Sequence, residues 1–151
     1  MKRVVPYGIR LGAQGEIETV PIVHARLRSP QGSEISAILI IDSGATISLL
    51  SSADADVLGV DLKSGKRVSV RGVTGHEIIG YRHSLPMVVE GFILKRVPII
   101  FSEHPDAPRV LGRAGVFNHF GLLFDEANRR VAFLDRRKEQ GAIQAVFTER
   151  A

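Results

Sequence analysis

Along the chain, apolar positions gather in short runs separated by turn residues, and one run stands out. Ala37-Ile38-Leu39-Ile40-Ile41 passes without a break into Asp42-Ser43-Gly44-Ala45-Thr46. A continuous Ile-rich run of this length predicts a strand buried on both faces. Val20 to Arg28 alternates loosely, and the cluster Ser29-Pro30-Gln31-Gly32-Ser33 is a turn. Together they predict a hairpin whose second arm is Ile35 to Asp42. Ahead of it, Val4, Val5, Ile9 and Leu11 are interrupted by Pro6 and Gly8, which predicts an edge strand or an arm over residues 1–12.

Downstream the pattern stays short-ranged. Ser51 or Ser52 offers an N-cap, Asp54 and Asp56 suit a first helical turn, and Gly59 suits the stop. Lys66 to Val73 alternates, Gly72 to His76 reads as a turn, and Glu77 to Tyr81 returns as a strand. Ser84 to Val89, the tight Glu90-Gly91 turn and Phe92 to Phe101 predict a further hairpin. Val110-Leu111-Gly112-Arg113 is a second apolar approach to a glycine. Ala114 to Phe120 is helix-compatible, with Gly121 as its stop. Leu122 to Phe124 and Val131 to Leu134 flank a polar turn and predict one more hairpin. Ala142 to Phe147 reads as a terminal strand or a loose tail. Many short strands, regular turn signals and one or two brief helices predict an all-β barrel or sandwich.

Composition narrows the classes. A chain of 151 residues is long enough for one domain with a sizeable core. The absence of cysteine excludes a disulfide framework, thiolate catalysis and zinc–thiolate sites. The opening Met1-Lys2-Arg3 leads into an apolar run too short for a signal peptide or a membrane span, which predicts a cytoplasmic protein without a membrane partner. The net charge is +4 and the pI 9.8. The basic residues are spread and not interleaved with aromatics, so no nucleic-acid partner is predicted. The five histidines lack ligand spacing, and Asp54-x-Asp56 fits a helix dipole better than a metal, so no metal and no cofactor are predicted.

Asp42 is the candidate for chemistry. A carboxylate at the end of a buried strand costs several kcal/mol, roughly, unless it is paired or its pKa shifts. Asp-Ser-Gly is also good turn chemistry, and an Asx turn alone would account for it.

Two distant segments, Ile40-Ile41-Asp42-Ser43-Gly44-Ala45-Thr46 and Val110-Leu111-Gly112-Arg113, with a glycine-tipped hairpin between them, resemble the retroviral-type aspartic proteases, the retropepsin family. The resemblance covers roughly residues 20–134, leaving 1–19 as an N-terminal arm and 135–151 as a charged C-terminal extension. It implies a closed β-barrel with a flap hairpin, and an aspartic endopeptidase that needs neither metal nor organic cofactor. It implies Asp42 as catalytic residue, Ser43 as a hydroxyl grip across a dimer, and Gly44 as a bond to substrate backbone. Ala45 completes the support of the site, and Val73, Thr74 and Gly75 form the flap tip over a peptide substrate. Two carboxylates sharing one proton are needed for this chemistry, and the chain has one Asp-Ser-Gly triplet, so the resemblance implies a homodimer with a dyad of Asp42 from both chains. The alternative on the same fold is a non-catalytic dimeric peptide-binding or adaptor module. One departure stands out. The family places an acid two residues past the triplet's glycine, paired with the arginine of the second motif. Here Thr46 holds the first position while Arg113 is retained.

Overall fold

The computed structural model describes residues 2–72 and 74–148. The protein is mostly β, with two short helices and a closed six-strand barrel. The chain divides into two compact units, one made of the described residues of Met1–Ile22 and Val116–Ala151, the other of Val23–Gly115.

The first unit opens with β1 (Lys2–Pro6), β2 (Gly8–Leu11) and β3 (Ile17–Val20), where β2 and β3 pair as a two-stranded hairpin. Its remaining parts come from the far end of the chain, after the barrel strands. The barrel begins with β4 (Ile22–Arg28) and β5 (Glu34–Ile41), then β6 (Ser48–Leu50) and α1 (Ser52–Leu58). It continues with β7 (Lys66–Arg71), β8 (Glu77–Val89), β9 (Phe92–Ser102) and the two-residue β10 (Val110–Leu111). The strand order is β4-β5-β10-β6-β9-β8-β7, and β4 pairs back onto β8, which closes six strands into a ring and leaves β7 outside it.

The ring sorts side chains by parity. In β5, Ala37, Leu39 and Ile41 point inward and are buried, whereas Ile38 is 53 % exposed. The expected burial of this strand on both faces is therefore corrected: a barrel strand has one interior face, and the apolar run alternates in space although not in sequence. Leu27, Leu39, Leu50, Met87, Val97, Phe101 and Leu111 are fully buried in this unit. At about 25 cal/mol per Å² of apolar area, each such side chain contributes roughly 2 kcal/mol. β8 is one long strand where the sequence suggests two short ones, and Pro86 is accommodated by a register shift between Leu85 and Met87. The Glu90-Gly91 turn has φ of 48° and 88°, the positive pair that a tight hairpin needs.

Helix α1 forms as its caps dictate. The Ser51 side chain accepts the Asp54 N–H, the Asp54 carboxylate accepts the Ser51 N–H, and Gly59 ends the helix in the left-handed region.

After the barrel, β11 (Phe120–Asp125) and β12 (Arg130–Asp135) form a hairpin, and β1 adds to β12 to make a three-stranded sheet. The helix expected over Ala114 to Phe120 is reduced to a 3-10 turn at Phe117–His119, and Gly121 lies inside β11 and not at a helix stop. Helix α2 (Gln140–Phe147) replaces the strand or tail expected at Ala142 to Phe147. Its Ile143 packs on the bare backbone of Gly121. The spacing of Ile143, Val146 and Phe147 is helical, and a run this short carries too few repeats to declare its period. Among the described residues no helix is long and apolar enough to cross a membrane.

Candidate active site

The Asp42 loop is built by three short strands meeting. β10 runs parallel to β5, with Val110 opposite Ile40 and Leu111 opposite Ile41, and antiparallel to β6 through Val110 and Leu49. The chain thus leaves β5 at Asp42, loops to β6, and later threads β10 between the two. The Asp42 N–H donates to the Leu111 carbonyl at 3.0 Å, which fixes the start of the loop. Arg113 N–H donates to the Ala45 carbonyl at 3.0 Å and Ala114 N–H to the Thr46 carbonyl at 2.8 Å, which fix its far side.

Gly112 is required at the crossing. A Cβ there would stand 2.4 Å from the Ile47 carbonyl carbon, and its N–H donates to the hydroxyl of the fully buried Ser48 at 3.0 Å. Only a residue without a side chain lets the two backbones approach this closely.

Asp42 itself is exposed in the single chain, as are Ser43 and Gly44, while Ala45 is half-buried. The Gly44 N–H donates to Asp42 Oδ1 at 2.9 Å, and the Ala45 N–H donates to the Asp42 carbonyl at 3.2 Å. One carboxylate oxygen is thus oriented by backbone and the side chain is left accessible, an arrangement able to hold a water or accept a proton. An Asx turn is present, as the local sequence suggests, but it sits on a three-strand crossing that a simple turn does not require.

The hairpin of β7 and the first part of β8 keeps strict register from Lys66–Arg82 to Arg71–Glu77. At its tip Gly75 has φ of 78°, and its N–H donates to the Gly72 carbonyl at 3.0 Å. Thr74 and His76 are exposed. Val73, the third residue expected at the tip, lies outside the described residues. The Ser69 hydroxyl donates to the Glu77 carboxylate across the strands.

Sequence reasoning missed the groups that hold the crossing strand. Arg109, immediately before β10, makes a two-pronged ion pair with Asp54 of α1, Nη2 to Oδ1 at 2.7 Å and Nε to Oδ2 at 3.2 Å. Its carbonyl accepts the Ile40 N–H at 3.0 Å. The Asp54 side chain is 6 % exposed. Burial pushes its carboxyl upward, but the Arg109 guanidinium and the Ser51 N–H and hydroxyl outweigh that and hold it below the usual carboxylate range. Arg109 is correspondingly held above its ordinary value, chiefly by the hydrogen bond to Asp54. An arginine–aspartate pair thus supports the loop, but through Arg109 and not Arg113. Arg113 is exposed and makes no ion pair among the described residues. A spacing of 55 residues between partners, with no motif around either, left no local signal for this pair.

Among the described residues no three His, Asp or Glu side chains gather as a metal site. A shallow cleft of about 580 Å³ is lined by His24, Arg26, Ile38, Glu90 and Arg109 among others, and it includes none of residues 42–45.

A family model described as aspartyl protease matches residues 31–114, a span that takes in the Asp42 loop, the 66–82 hairpin and the Gly112 crossing. Among solved structures, a retropepsin-like aspartic protease from Rickettsia conorii superposes with a TM-score of 0.59 at 18% identity, over 87% of this chain and 98% of that one. At that identity the likeness establishes the fold. No curated protein sequence matches. With more than half of its length matched by the family model and the retropepsin-like barrel in place, this chain belongs to the aspartyl protease family.

Proposed function

We propose that the protein is an endopeptidase that hydrolyses peptide bonds through a dyad of two Asp42 carboxylates, one from each chain of a homodimer. The observation that carries this reading is the single Asp-Ser-Gly triplet placed at the β5–β10–β6 crossing with its carboxylate accessible. In the proposed mechanism the two carboxylates share one proton, because like charges about 3 Å apart cannot both ionise. The ionised member takes a proton from a water as that water attacks the peptide carbonyl. The protonated member donates to the carbonyl oxygen. Collapse of the tetrahedral intermediate, with a proton passed to the amine, releases the two fragments. Titration belongs to the pair.

Ser43 and Gly44 flank the carboxylate on the exposed loop and are the proposed contacts to the partner chain and to substrate backbone. The hairpin tip at Thr74 and Gly75 is the proposed flap, closing over an extended peptide that lies as an added strand with its side chains in alternating pockets. Closure would exclude water from the dyad.

The test is Asp42→Asn assayed against a diverse peptide library. The two side chains are nearly the same size, so the fold should be kept, and cleavage should fall by at least about a thousandfold. A variant that cleaves at the wild-type rate would remove the aspartic mechanism.

A further inference from the structure

We propose that Arg113 is a specificity residue that selects peptides carrying an acidic side chain beside the cleaved bond; the inference rests on the reading of Asp42 as the reacting group. Three observations converge on it.

The first is position. The backbone of Arg113 is tied to the far side of the Asp42 loop by its N–H bond to the Ala45 carbonyl at 3.0 Å, and the next residue is tied to Thr46. Its Cα therefore moves with the loop. The second is the lack of an internal partner. Arg113 is exposed, and the ion pairs of this unit go to other cations: Arg109 takes Asp54 and Arg26 takes Glu34. The loop residues Ser43 to Thr46 carry no charge. An arginine whose backbone is tied to the Asp42 loop, and which pairs with no acid among the described residues, is available to a carboxylate from outside, and its fork geometry accepts two oxygens at once.

The third is the surrounding charge. The 66–82 hairpin exposes Lys66, Arg67, Arg71 and Arg82, whereas its one acid, Glu77, already accepts the Ser69 hydroxyl. Cations on an element proposed to close over a site would raise the local concentration of acidic ligands and repel basic ones. Selection thus has an attractive part at Arg113 and a repulsive part on the hairpin.

The probes are fluorescein-labelled peptide pools with a central apolar pair flanked on both sides by Glu, by Gln or by Lys. Binding is read by anisotropy on the Asp42→Asn protein, so that no peptide is consumed. We expect the Glu pool to bind about five- to tenfold more tightly than the Gln pool at low salt, the range of a partly enclosed charge pair. Adding Arg113→Gln should reduce that ratio to below about twofold, and Arg113→Glu should turn the preference toward the Lys pool. The reversal cannot come from a misfolded protein. Equal binding of the Glu and Gln pools would overturn the inference, as would a Glu preference that survives Arg113→Gln. Wild-type cleavage is scored separately on the same pools. A protein that prefers the Glu pool yet cuts none overturns the protease reading, and with it the placement of the acidic side chain beside a cleaved bond, and leaves only an acidic-peptide preference at Arg113.

Discussion

At the scale of single residues, the pair Asp54–Arg109 does more for the site than its distance from Asp42 suggests. It fixes the chain just before β10, the strand that supports the Asp42 loop. Asp54→Asn keeps the shape but loses the charge, and should destabilise the protein by about 2 kcal/mol, the size of a charge-assisted hydrogen bond left half made. The folded carboxyl lies below its ordinary value, so the stabilisation is fully present above the ordinary carboxylate range, above about pH 5, and is lost as pH falls through the folded value. Urea titrations of both proteins from neutral to acid pH should therefore show a gap that closes on acidification. A gap that is constant with pH would mean that Asp54 acts through packing alone. The turn at Asp42 was legible because it is written in consecutive residues. Ser48, Asp54 and Arg109 were not, because each meets its partner through the fold: a hydroxyl to a backbone N–H in a crossing strand, a carboxylate to a guanidinium on another element.

At the scale of elements, strands with clear alternation and strong turns at both ends were readable, among them the β8–β9 and β11–β12 hairpins. Short elements were not: residues 114–120 and 140–147 each hold about two turns' worth of pattern, and packing decided them. The 66–82 hairpin was legible as a hairpin; its part in catalysis is a proposal with a direct test. Gly75 sits at φ 78°, and a Cβ added there would have nothing within 4 Å, so a side chain meets no neighbour and strains only the backbone. Gly75→Val should cost roughly 1–3 kcal/mol in the conformation of the tip. The tip is exposed and, among the described residues, packs against nothing, so kcat/KM should fall more than the unfolding midpoint does. Unchanged kinetics would exclude this hairpin from closing on substrate.

At the scale of the whole molecule, the proposed dyad of two Asp42 carboxylates would make activity a function of concentration. Specific activity should fall on dilution once the protein drops below the dissociation constant of the pair, and light scattering should follow the same curve. A monomer with full activity at all dilutions would sink the two-chain dyad. The same residue bears on how the chain reaches its fold. The ring closes only when β4 meets β8 and β10 slips between β5 and β6, pairings between segments far apart in sequence. Such contacts form late and slowly. Until then Ala37–Ile41 is an uncharged, β-prone segment open to other chains, the composition that seeds intermolecular sheets. Glu34 guards one end of it and Asp42 the other, in the manner of gatekeeper charges. The carboxylate proposed to cut peptides would thereby also hold the nascent chain apart from its neighbours, and Asp42→Asn should lower the yield of refolding at high protein concentration while the molecules that fold keep the same structure.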